Sequence, residues 1–219
     1  MKKVGILILI ITILFFENIY GSDIYNNDLK NFNIINEMDF TDTSNITREK
    51  CLVAIMKTIG VTDNDIKKLN GSDRYAFADT PTYSYIGCAY YAKIAFGEEK
   101  VIDYVTYRTS HTGKNVDLFF YPDRYATIKD CLAFCIRFLD DNVKTNEDVV
   151  EKSIEYGFID NEDIKNIDKY INKDEFYNIL NKMLHQKRYR YYSSPFVMEG
   201  YIDKNKSVTY YNMYLQNEK

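Results

Sequence analysis

Ile46-Thr47-Arg48-Glu49-Lys50-Cys51-Leu52, Ala126-Thr127-Ile128-Lys129-Asp130-Cys131-Leu132 and Ile171-Asn172-Lys173-Asp174-Glu175-Phe176-Tyr177 are written in one grammar. Each opens on a residue whose side chain can accept from a helix's orphan N–H groups (Thr47, Thr127, Asn172), then runs through a charged first turn. Apolar residues at three-and-four spacing follow: Ile55, Met56 and Ile59 in the first, Cys135, Ile136 and Leu139 in the second, Ile179, Leu180, Met183 and Leu184 in the third. The pattern predicts an N-capped amphipathic helix three times over, and self-similarity at such spacing points to a repeat architecture.

A second element precedes each of these helices. Phe32-Asn33-Ile34-Ile35-Asn36 lies fourteen residues before Thr47, counted from Asn33, and Tyr156-Gly157-Phe158-Ile159-Asp160 lies fifteen before Asn172, counted from Gly157. Helical patterns lead into both, from Asn27 to Phe32 and from Glu147 to Tyr156. The middle copy, introduced by Phe77-Ala78-Asp79, runs from Thr82 to Phe96, with its helix expected to end near Gly97. Some thirty residues then separate it from Thr127, so this copy carries an insertion.

The insertion reads as strands. Val101 to Arg108 and Val116 to Tyr121 are rich in β-branched and aromatic residues, and Thr109 to Asn115 supplies the turn. Tyr189 to Ser193, Phe196 to Ile202 and Val208 to Leu215 read the same way. The expected architecture is mostly α with minor β: three helical hairpins over about 24–60, 76–140 and 146–185, a β-hairpin insertion over about 101–121, and a C-terminal β extension over 186–219.

At the N-terminus, Lys2 and Lys3 precede an apolar run from Val4 to Phe16, and small residues stand at Gly21 and Ser22. This is the plan of a secretory signal peptide over residues 1–21. The alternative is an uncleaved anchor, but thirteen apolar residues rise only about 20 Å as a helix, short of the roughly 30 Å hydrocarbon core. The formal net charge of −4 lacks the basic stripe that nucleic-acid binding needs. The lean towards Asn, Ile, Lys and Tyr, with 21 Tyr, no Trp and 3 Pro, reads as the codon bias of an AT-rich bacterial genome.

No catalytic constellation can be assembled. Only His111 and His185 exist, and Ser110-His111 reads as a polar loop tip. The four cysteines (Cys51, Cys88, Cys131, Cys135) fall where helices place apolar residues. In an exported chain an even count invites disulfides, but free buried thiols are the favoured reading, and Cys131 and Cys135, four apart on one face, are poorly disposed to bridge each other. Asp160-Asn161-Glu162-Asp163 lacks the mid-loop Gly and alternating ligands of a calcium loop. No cofactor or metal is expected. Arg48 stands in a helix's first turn, where a cation opposes the macrodipole. Two readings stand side by side: an anion site beside the helix N-terminus, or a salt bridge to an acid of a neighbouring repeat. Arg124 is a weaker case of the same kind.

The three segments resemble the S-layer homology family, whose repeats join a helix introduced by a Phe-x-Asp turn to a second helix opening Ile-Thr-Arg-Ala-Glu-Phe. Ile46-Thr47-Arg48-Glu49 is close to that motif, Phe77-Ala78-Asp79 resembles the turn, and Phe120-Tyr121-Pro122-Asp123-Arg124-Tyr125-Ala126-Thr127 resembles the lead-in to the second helix. The resemblance covers roughly Ile24 to Leu184. It implies three repeats around a pseudo-threefold axis and binding of secondary cell-wall polysaccharide in the grooves between repeats, through the motif Arg and a nearby aromatic. Carried onto this chain, the contacts are Arg48, Lys173 in the place of a motif Arg, Arg124, and Tyr83 or Tyr85 for stacking. Ile128 replaces the motif Arg in the second copy, which implies a silent groove. The expected protein is therefore a non-catalytic, secreted or cell-surface module that anchors to anionic wall polysaccharide. The alternative is a secreted protein-interaction module that reuses the repeat scaffold to bind another envelope protein.

Overall fold

A computed structural model describes residues 27–36, 45–67, 76–81, 84–103, 114–140, 142–143, 145–187, 190–193, 197–201 and 208–217. The chain is mostly helical, with two small two-stranded antiparallel sheets among the described residues. The leader expected over 1–21 lies outside them. No described helix is long and apolar enough to cross a membrane.

The three motif segments form α2 (Arg48–Thr58), α5 (Ile128–Leu139) and α7 (Lys173–Leu184). Thr47, Thr127 and Asn172 are their N-caps, each accepting from the backbone N–H three residues on. In α5 and α7 the acid at that third position, Asp130 or Glu175, returns the bond to the cap's own N–H. In α2 the position holds Lys50, so its cap is one-sided. The three helices pack against one another. Cys51, Cys131 and Phe176, at the same step of the motif, have no exposed surface, and neither do Leu52 and Leu132 one residue later.

The residues just before the caps meet in a closed circuit. Ile46 N–H donates to Ile171 O at 3.3 Å, Ile171 N–H to Ala126 O at 2.9 Å, and Ala126 N–H to Ile46 O at 2.7 Å. Each segment gives one bond and takes one. Flanking bridges follow the same order: Asn45 with Asn172, Thr47 with Tyr125, Thr127 with Tyr170. Three buried segments thereby satisfy one another's backbone groups without forming a sheet.

The preceding helices are α1 (27–31), α4 (Tyr85–Tyr91) and α6 (Asn146–Glu155). All three end in one turn. Bonds run 32→28, 33→30, 34→29 and 35→29 after α1, then 92→88, 93→90, 94→89 and 95→89 after α4, and 156→152, 157→154, 158→153 and 159→153 after α6. Asn33, Lys93 and Gly157 take positive φ (53°, 60°, 73°) at the step where a helix ends left-handed. The middle helix thus stops at Tyr91, earlier than the expected end near Gly97. Gly97 has a different use: a Cβ there would lie 2.7 Å from Phe77 and 3.0 Å from the Phe119 carbonyl. The outer helices pack back on the preceding motif helix, α4 on α2 and α6 on α5. A short helix α3 (Asp63–Lys67), which the pattern did not announce, follows α2.

In the insertion, β1 (Glu98–Val101) pairs antiparallel with β2 (Val116–Phe119). The first strand lies earlier than the expected 101–108, and 104–113 fall outside the described residues. The hairpin is tied to the helical body: Val116 is buried, Leu118 packs on the core, and its carbonyl accepts from Ala78 N at 2.8 Å. At the C-terminus β3 (Arg190–Ser193) pairs with β4 (Val197–Tyr201). The stretch expected as a third strand, Val208 to Leu215, is instead helical, α8 (Tyr210–Asn217). Its aromatics read as β by composition, but Tyr210, Tyr211, Met213 and Tyr214 all pack against the core. Tyr214 stacks on Phe32 at 4.8 Å and its hydroxyl donates to Lys57 O, Tyr210 lies 5.7 Å from Phe138, and Tyr211 stacks on His185 at 5.0 Å. One helix thus touches the C-terminal ends of α2, α5 and α7, opposite the circuit at their N-termini.

Candidate ligand-binding seam

The seam between α2 and α5 is built from the lead-in Phe120 to Arg124. Asp79 holds its start: the carboxylate accepts from Phe120 N at 2.9 Å and from Tyr121 N at 2.7 Å. Tyr121 has φ 59°, a conformation costly for a side chain with a Cβ, and the paired bonds fix it there. The lead-in carbonyls then cap α2, with Arg48 N donating to Arg124 O at 2.8 Å and Glu49 N to Pro122 O at 3.0 Å.

Arg48 is not displayed to solvent. It is 5% exposed, donates through Nε to Phe120 O at 3.0 Å, and pairs through Nη1 with Asp130 Oδ1. Its guanidinium lies 4.8 Å from the Phe120 ring centroid and 5.6 Å from that of Phe134. Asp130 keeps its other oxygen on Thr127 N and Oγ1, so one carboxylate caps α5 and braces α2. Of the two readings of Arg48, the structure displays the salt bridge to a neighbouring copy's acid.

The other expected contacts lie apart. Arg124 shares this seam but its side chain points outward, bonded to Glu98 Oε1 at 2.8 Å and over Tyr121 at 5.3 Å. Lys173 begins α7, half-buried, over Tyr177 at 5.5 Å. Tyr83 lies outside the described residues. Tyr85 is half-buried and donates to Asp63 Oδ1 at 2.8 Å; burial first, then the Asp63 and Asp65 charges, push its pKa up. Ile128 packs on the core, and the neighbouring Lys129 reaches Asp168 instead. His111 lies outside the described residues. His185 ends α7, its Nδ1 2.9 Å from Asn181 O. Asp160 and Asp163 cap a 3-10 turn (Asn161–Asn166), and no described group of three or more His, Cys, Asp or Glu could hold a metal.

Two residues not singled out from the sequence complete the seam. Arg137, two turns along α5 from Asp130, lies over Phe96 at 4.6 Å, and Phe96 is 46% exposed. Burial, then the charge of Arg48, pull the Arg137 pKa down, with Asp130 opposing. Arg137 and Arg48 thus lie near enough to feel each other's charge, and the Arg137 guanidinium sits over an open aromatic. The i, i+7 relation of Asp130 and Arg137 was visible in the sequence, but the approach of Arg48 from eighty-two residues away was not.

The chain matches no known family, no curated protein and no solved structure.

Proposed function

We propose that this chain is an exported, non-catalytic cell-envelope module of three helical-hairpin repeats around a pseudo-threefold core, similar to S-layer homology domains, and that it attaches to anionic cell-wall polysaccharide. The repeat reading rests on the cyclic order of the Ile46, Ala126 and Ile171 bonds and on the three matching helix ends at Asn33, Lys93 and Gly157. The binding reading rests on one observation: the Arg137 guanidinium lies over the half-exposed ring of Phe96, 4.6 Å from its centroid. A carboxylated sugar would meet the Arg137 guanidinium with its anion and Phe96 with its ring face. In this reading Arg48 positions the seam and Arg137 faces the ligand, with Arg124 and Lys173 adding long-range attraction from outside.

The test is retention of the folded protein on purified bacterial wall before and after the wall polysaccharide is stripped. Retention should fall on stripping and with rising salt. Arg137→Gln should weaken it roughly ten- to a hundredfold, as expected for loss of a charge-assisted contact, and Phe96→Ala should weaken it without lowering the melting midpoint. Binding indifferent to stripping sends the reading to the alternative, a protein-interaction module. That alternative draws on β1, whose four residues are all exposed, the apolar Val101 among them.

A further inference from the structure

The four cysteines have no part in the seam, and three of them converge. Cys51 and Cys131 stand at the same step of α2 and α5, helices that pack on each other, and both are free and fully buried; Cys135 lies one turn on from Cys131 and is buried too. At the corresponding place on α7 the chain puts Phe176. Cys88 is buried on α4.

We propose that Cys51 and Cys131 are a latent staple, joined as a disulfide between α2 and α5 when the chain folds in an oxidising milieu. Two buried thiols at matching steps of adjacent, packed helices suit a cross-link between those helices, whereas Cys131 and Cys135 project in parallel from one helix. With a small disulfide such as oxidised glutathione as the oxidant, the exchange balances. The Cys51 and Cys131 thiols lose two electrons and two protons and form one S–S bond; the reagent's S–S bond breaks and yields two glutathione thiols. Burial holds both protein thiols in the unreactive protonated form once the core has closed. The bond therefore forms while α2 and α5 are still docking, and afterwards it is shielded from reductant. The milieu in which folding finishes decides whether the staple is set, and this part of the idea rests on the proposed export.

Refolding the full chain from the denatured, reduced state with a glutathione redox couple tests the chemistry without relying on export. After trypsin, the expected product is Cys51–Lys57 joined to Asp130–Arg137, with Cys88 and Cys135 still free on thiol titration of the denatured protein. The melting midpoint should lie roughly 5–15 °C above that of the reduced protein, the scale for a native-like cross-link in a chain of this size. Cys135→Ala should keep the cross-link, and Cys51→Ser should abolish it. Should Cys51→Ser fail to fold, the Cys135→Ala result alone decides. Four free thiols, a glutathione adduct or a Cys131–Cys135 loop would each overturn the proposal. A staple formed in vitro but missing from protein recovered from its source would fault the export reading and leave the staple standing.

Discussion

The seams that follow α2 and α5 use the same motif positions and end up unlike. Where α2 meets the second copy, Arg48 is buried and reaches Asp130 and the Phe120 carbonyl over two aromatic rings. Where α5 meets the third copy, the equivalent residue is Ile128, packed on the core, and the ion pair slides one residue to Lys129 and Asp168 at the surface. The backbone bonds agree: Arg48 N and Glu49 N go to the second lead-in, and Ile128 N and Lys129 N to Lys169 O and Ile167 O of the third. A shared backbone frame thus supports a polar, ion-paired seam in one place and an apolar one in another. Whatever chemistry the seams carry is set by side chains alone.

Four substitutions probe that contrast. The largest loss should follow Arg48→Ala, because Asp130 would keep a half-buried charge with its partner gone; roughly 3 kcal/mol of stability is expected by chemical denaturation. An unchanged midpoint in urea would mean the brace is ornamental. Asp79→Ala should cost about 2 kcal/mol, since the Phe120 and Tyr121 N–H groups lose their acceptor. It should also loosen the first seam while sparing the second, which hydrogen exchange at Lys129 against Glu49 would register. On the apolar side, Ile128→Ala should cost about 1–2 kcal/mol and leave wall retention unaltered. Lys129→Ala should be the mildest, below about 1 kcal/mol and smaller still in high salt, because the Asp168 side chain is 77% exposed. A Lys129 effect equal to that of Arg48 would erase the distinction between the seams.

What the sequence disclosed follows from distance along the chain. Caps are local, and Thr47, Thr127 and Asn172 occupy the expected positions with the expected acceptors. Asn33 and Gly157, from which the spacing was counted, are the left-handed residues themselves. Lys93 escaped notice because nothing in a lysine announces positive φ, and the nearby Gly97 offered a more conventional helix end. The C-terminal helix was misread because its tyrosines favour strand by composition, while what makes it a helix is Phe32, Phe138 and the Lys57 carbonyl, all distant in sequence. In the seam, Arg48 was visible as a misplaced cation at a helix start. Its destination was not, since Asp130 already had a local explanation as a cap. Arg137 and Phe96 left no signal beyond one more arginine and one more phenylalanine.

The circuit of Ile46, Ala126 and Ile171 also governs how the chain can assemble. A linear repeat array grows unit by unit, each addition stabilised by the last. A closed circuit has no first unit: with one member missing, a donor and an acceptor in the buried centre stay unanswered. The bond between Ile46 and Ile171 joins segments far apart in the chain, so its closing entropy falls due only at the end. A nascent chain is therefore expected to stay uncommitted until the segment at Ile171 has emerged, and then the three motif helices dock together.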